Sequence, residues 1–186
     1  AAGVMVDKLH DPENEFDHGK DDLSMKEAES VGIALLTKYC NEVSPNYNFI
    51  AVEMETKPLD IDCGGGVIVR LKGTMDRARI KKTTGGVGIA DLKSGSAAAQ
   101  KGVAVTKGHG AQIGTYELLY QHTTGEQITS EAEIIGLKTK GKAEIGFGNI
   151  SNAMEIMVGN ETTPGLIELA AHMFKTGKFY PNPKSM

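Results

Sequence analysis

Gly73-Thr-Met-Asp76-Arg77 and, after a short insert, Ile89-Ala-Asp91-Leu-Lys93-Ser94-Gly95 are the two runs that decide the fold. They read as the strands of one hairpin, turned at Thr83-Thr-Gly-Gly86. Asp76 ends the first strand. Asp91 and Lys93 stand two apart on the second, so their side chains leave the same face of a sheet. Two carboxylates and an ammonium converging on one spot suit a divalent cation and a phosphodiester. The acids are hard oxygen ligands for Mg²⁺ or Mn²⁺, and the lysine can position a water or stabilise charge developing at phosphorus.

Working outward, Ala1 to His10 reads as a helix and Asp11 to Asp22, with Pro12 and Gly19, as a polar loop. Ser24 and Glu27 have capping-box spacing before a helix from Met25 to Tyr39, whose Ala28, Val31, Ala34 and Leu35 keep helical periodicity. Ser44-Pro45-Asn46 is a turn. Phe49 to Thr56 alternates as a strand with Ile50, Val52 and Met54 on one face, and Asp62 to Gly66 turns a hairpin. Val67 to Leu71 leads into the first acidic strand, and Val87 to Leu92 is the central strand. A glycine- and alanine-rich connection from Gly95 to Gly110 precedes a helix, Ala111 to His122. Glu131 to Thr139 and Ala143 to Phe147 form a hairpin around Lys140-Gly141. Asn149 to Val158 and Gly165 to Thr176 read as closing helices, before an extended tail stiffened by prolines. This order gives an α/β chain with a mixed, largely antiparallel central sheet flanked by helices.

The 186 residues suit one domain, 1–186, large enough for a real core. A net charge of −4 argues against a generic basic nucleic-acid coat protein, yet leaves room for one local basic groove. Lys81 and Lys82, Lys101 and Lys107, and Lys138, Lys140 and Lys142 are the local concentrations of positive charge. No apolar run approaches the roughly 20 residues of a membrane span, and no signal-peptide pattern opens the chain, so a cytoplasmic protein is expected. The opening inside a helix without an initiator methionine suggests a fragment or a processed chain. Cys40 and Cys63 lack metal-ligand spacing and read as free thiols.

With Gln112-Ile-Gly-Thr-Tyr116 added to the two strands, the chain resembles the PD-(D/E)XK nuclease superfamily, and within it the RecB-like exonuclease branch that includes phage-type recombination nucleases. That branch orders a G-x-x-D-R strand, a D-x-K-[TS]-G strand and a helix with Q-x-x-x-Y, as this chain does from about Val6 to its end. The resemblance implies a restriction-endonuclease-like core and a Mg²⁺- or Mn²⁺-dependent deoxyribonuclease, an exonuclease before an endonuclease, at work in recombination or repair. It implies Asp76 and Asp91 as metal-binding carboxylates, the Leu92 carbonyl as a further ligand, and Lys93 as the catalytic lysine. Gln112 and Tyr116 would shape the site and contact the substrate strand, and Arg77 would meet a phosphate or pair with an acid. DNA is the implied partner, with a homo-oligomer or a recombination protein beside it.

Two features depart from the branch. Gly3-Val-Met-Val6-Asp7 fits its G-x-x-x-H pattern with Asp7 in place of the histidine, and Asp7 takes that metal-ligand role in the expected set. The branch's cysteine group for an iron–sulfur cluster is missing, so no cluster is expected here and the C-terminus reads as truncated. A catalytically weak nuclease fold that binds nucleic acid or scaffolds a partner is the alternative.

Plainer readings hold for other residues. Glu53 and Glu55 suit a solvent face, and His109 a loop; His10 and His18 suit a solvated surface. Gly64-Gly65-Gly66 and Gly85-Gly86 lack a following helix and Lys-Ser/Thr, so they are turns and not phosphate loops. Lys138, Lys140 and Lys142 are either a solvated strand edge or a phosphate track.

Overall fold

The computed structural model describes residues 2–11 and 23–179. The acidic loop expected between Asp11 and Asp22 and the end of the proline-rich tail lie, for the most part, outside the described residues.

Helix α1 (Ala2–His10) contacts α2 (Met25–Lys38), and α2 opens with the expected capping box. The Ser24 hydroxyl accepts from the Glu27 amide while the Glu27 carboxylate accepts from the Ser24 amide, which satisfies two of the helix's orphan donors. A π-helical turn (Tyr39–Val43) and a 3₁₀ turn (Ser44–Asn46) then deliver the chain to β1 (Tyr47–Glu55). The hairpin β2 (Leu59–Asp62) and β3 (Ile68–Leu71) stands apart as a two-stranded sheet. Its tip, Gly64 to Gly66, takes three successive positive φ values of 74°, 60° and 78°, a path that glycine follows without strain.

The main sheet has seven strands in the order β1-β4-β5-β8-β9-β7-β6. They are β4 (Thr74–Lys81), β5 (Val87–Gly95), β6 (Ala99–Gln100), β7 (Val103–Ala104), β8 (Ala132–Lys138) and β9 (Glu144–Ile150). β5 and β8 run parallel, which demands a crossover, and α3 (Gly110–Thr124) lies within it. The short α4 (Ala153–Val158) packs on α3, and α5 (Leu166–Thr176) closes the described chain. The α/β architecture, with a mixed sheet flanked by helices, is the expected one.

The sheet separates two cores. On the α3 side, Met75, Ile89, Ile113, Tyr120 and Ile134 pack together; on the α2 side, Leu35, Val43, Tyr47, Ala90, Ile135 and Ile145 do so. Because side chains alternate along β5, Ile89 faces α3 while Ala90 and Leu92 face α2. Asp91 and Lys93 therefore belong to the α3 face.

Four local expectations change. Asp76, expected to end its strand, lies near the start of β4, which runs on to Lys81. In β1, Ile50 and Val52 are exposed, and Phe49 and Ala51 pack inward instead. An irregularity between Phe49 and Ala51 and a left-handed Glu53 (φ 47°) reset the alternation, which a period-two pattern cannot foresee. Asn149 and Ile150 finish β9, so the helix expected from Asn149 begins only at Ala153. The connection from Gly95 to Gly110 carries the small hairpin β6–β7 instead of running irregularly.

Candidate active site

The pairing of β4 with β5 creates the site by stopping. Ile80, Arg79 and Ala78 oppose Val87, Gly88 and Ile89, and there the ladder ends. Continued two residues, the same register would set Asp76 opposite Asp91. The acids therefore stand where the two strands part, on the open side of a ladder that holds them close.

Asp91 is fully buried, and neither carboxylate oxygen has a hydrogen-bond partner. Lys93 Nζ lies 2.7 Å from Oδ2 as an ion pair, without the alignment of a hydrogen bond. A buried carboxylate left in this condition is costly, since burial strips its water and one ammonium replaces only part of what was lost. Asp76 is half-buried, and its pKa is raised. Burial is the main cause, followed by the adjacent Asp91 carboxyl, with which it can share a proton; Lys93 and Arg77 pull the other way. Two carboxyls that crowd one another, one fully buried with a single ammonium beside it, fit a divalent cation as the missing partner.

Lys93 is held from a second side. Its Nζ donates to Gln112 Oε1 at 3.0 Å, and Gln112 Nε2 donates to the Tyr116 hydroxyl at 2.9 Å. The four-residue spacing puts Gln112 and Tyr116 on one face of α3, so the helix carries the bracket as a unit. An ammonium can only donate, so the amide must turn its oxygen to Lys93 and its nitrogen to Tyr116. The structure thus brings Asp76, Asp91, Lys93, Gln112 and Tyr116 together.

Other residues go elsewhere. Leu92 packs its side chain on the α2 face, as expected of the residue between Asp91 and Lys93. Arg77 also faces α2: its Nη1 donates to the Tyr39 hydroxyl at 2.8 Å, and its guanidinium lies 5.5 Å from the Tyr39 ring centre and 5.8 Å from that of Phe49. It acts on Asp76 through charge alone. Asp7 is exposed on α1. No group of three or more His, Cys, Asp or Glu among the described residues is placed to hold a metal ion, so Asp7 does not join the two acids. His10 bonds Glu29 at 3.0 Å, and Cys40 and Cys63 are free thiols.

Two supporting features escaped the sequence reading. Gly114 lets α4 cross α3 closely, for a Cβ there would lie 2.1 Å from the Ala153 carbonyl oxygen. Gly110 and Gly114, four apart on α3, were the signal for such an approach. Glu117, buried on the same helix, accepts from the Met154 backbone N–H at the start of α4. Burial pushes its pKa up to about 7. One glutamate among the helix's polar residues gave no sign of this.

A family model described as the PD-(D/E)XK nuclease superfamily matches residues 5–185. The chain belongs to that superfamily, whose members are metal-dependent nucleases. Among solved structures, one described as "Putative exonuclease" from Eubacterium rectale is similar, with 16% identity and a TM-score of 0.48 over 97% of this chain and 68% of that one. No curated protein matches. Among the described residues no helix is long and apolar enough to cross a membrane.

Proposed function

We propose that the chain is a Mg²⁺- or Mn²⁺-dependent deoxyribonuclease, an exonuclease that trims DNA ends in phage-type recombination or repair, in the cytoplasm of a bacterial or phage-infected cell. The fully buried carboxylate of Asp91, set beside Asp76 and Lys93 without an aligned hydrogen bond, carries this reading. Asp76 and Asp91, with the Leu92 carbonyl, would hold the cation. When bound, that cation supplies positive charge for the phosphodiester and lowers the pKa of water. Lys93 orients the attacking water and stabilises negative charge on the non-bridging oxygens. Gln112 fixes where the Lys93 ammonium points, and Tyr116 fixes the amide of Gln112.

End-labelled single- and double-stranded DNA with Mg²⁺ or Mn²⁺ tests the reading. The protein should release label, and covalently closed circles should stay intact, since an exonuclease needs an end. Asp91→Ala should lower the rate by more than about 1,000-fold, because most of the site's charge stabilisation depends on that residue. An Asp91→Ala protein that cuts as fast as the parent refutes the assignment.

The exposure of Asp7, away from the two acids, favours a second reading: a nuclease fold too weakly equipped to cut, which binds nucleic acid or scaffolds a partner. Binding of labelled DNA with no metal-dependent release of label would support it.

A further inference from the structure

Lys101 and Gly102 are the two central residues of the β6–β7 hairpin, whose flanking residues Gln100 and Val103 pair with each other. Both have positive φ, 52° and 78°. A two-residue turn of this kind ordinarily takes Asn-Gly or Gly-Gly, because a longer side chain gains nothing there and crowds its own backbone. A lysine kept in left-handed backbone is an outlier that asks for a reason beyond the turn.

The hairpin is a fixed platform. Gly136 on β8 is the direct partner of Lys93, and Gly146 on β9 is the direct partner of Gly136, so all three face the α3 side. A Cβ at Gly136 would lie 2.1 Å from the Ala98 carbonyl oxygen, and one at Gly146 would lie 2.6 Å from the Val103 carbonyl carbon. The segment is thus laid directly on the sheet beside Lys93, in a trough floored by glycine. Hydrogen bonds pin it further: Phe147 N–H donates to the Gly102 carbonyl at 3.0 Å, and Gly102 N–H to Glu144 Oε1 at 2.6 Å. Within the hairpin, Ala99 and Ala104 are buried.

On this platform Lys101 is exposed, and so is Lys107 in the loop that leads to α3. Neither ammonium has a hydrogen bond or ion pair among the described residues, whereas Lys81, Lys93 and Lys138 are each paired with an acid.

We propose that Lys101 and Lys107 form a phosphate track that carries the DNA strand from the Lys93 site across β8 and β9. The proposal rests on the nuclease reading and extends it to the path of the substrate. Residues 98–104 lie over Gly136 and Gly146, so the track starts beside the strand that carries Lys93. Phosphate contacts of this kind position a nucleic acid without reading its sequence.

The test measures binding of a fluorescein-labelled DNA oligonucleotide in Ca²⁺, over a series of salt concentrations. Lys101→Asn should raise Tm, because asparagine suits the turn better. It should also weaken binding about fivefold at 0.1 M salt and reduce the slope of log K against log salt by about 0.7–0.9, the weight of one lost phosphate contact. Adding Lys107→Ala should double the slope change. Lys101→Arg, which keeps the charge, should keep the parent's slope. A Lys101→Asn protein with the parent's affinity and slope overturns the track, as does an equal loss in Lys101→Arg. If the parent itself neither binds nor cuts DNA, the nuclease reading has failed and the track falls with it.

Discussion

Asp91 and Glu133 are buried acids on adjacent strands, one residue out of register, and the sheet separates them. Glu133 pairs with Ala90 and so faces α2, where it accepts from the Tyr47 hydroxyl and, at 3.1 Å, from Lys81 Nζ, with Arg79 Nη2 at 4.0 Å. Burial and the Glu133 carboxylate together push the Tyr47 hydroxyl well above its ordinary pKa. Asp91 faces α3 with a single ammonium beside it and no hydrogen bond. The first acid is satisfied by its neighbours and serves the fold. The second is left short of partners, and burial makes that shortage expensive. Burial alone therefore does not distinguish the two acids; their partners do.

Substitutions can break this comparison. Glu133→Ala leaves Tyr47 and Lys81 without their acceptor and the buried Arg79 without its counter-charge, so it should cost about 3–5 kcal/mol in denaturant unfolding while cleavage by the remaining folded protein persists. Asp91→Ala should do the reverse, losing cleavage while stability holds or rises. If both variants lose stability equally, the two acids do not differ as described.

A third buried acid sharpens the contrast through pH. Glu117 has a folded pKa of about 7 against an ordinary 4.5, so the folded state keeps a proton that the unfolded chain releases. Its contribution to stability is full below the ordinary value and falls as pH rises to about 7, by about 3 kcal/mol in all. Glu117→Gln does not titrate, so it should be more stable than the parent at pH 8 and lack that part of the decline. Parallel stability curves for the two proteins would refute the shift.

A smaller effect is expected at the support of the site. Gly114→Ala drives a methyl group against the Ala153 carbonyl and should cost about 1–3 kcal/mol, with a lower Tm. Since α3 carries Gln112 and Tyr116, the displaced helix should also slow cleavage. An unchanged Tm would show that α4 yields without resistance.

The parts of the molecule legible in sequence are those that local chemistry dictates. The Ser24–Glu27 capping box, the two acidic strands and the Gln112–Tyr116 spacing are each written within a few residues. The β4–β5 hairpin brings Asp76 and Asp91 together because a short turn fixes register. What escaped depends on contacts between distant segments. Gly136 and Gly146 gave no hint that residues 98–104 lie over them, and Ile50 and Val52 looked like a core face until the irregularity in β1 turned them outward. Arg77 sits next to Asp76 in sequence yet crosses to Tyr39, because neighbouring residues on a strand face opposite sides.

Anomalous scattering from Mn²⁺-soaked crystals tests the central claim most directly. The account predicts a manganese peak between the carboxylates of Asp76 and Asp91 that disappears in Asp91→Ala. Manganese bound elsewhere on the protein, with nothing between those two carboxylates, would contradict it.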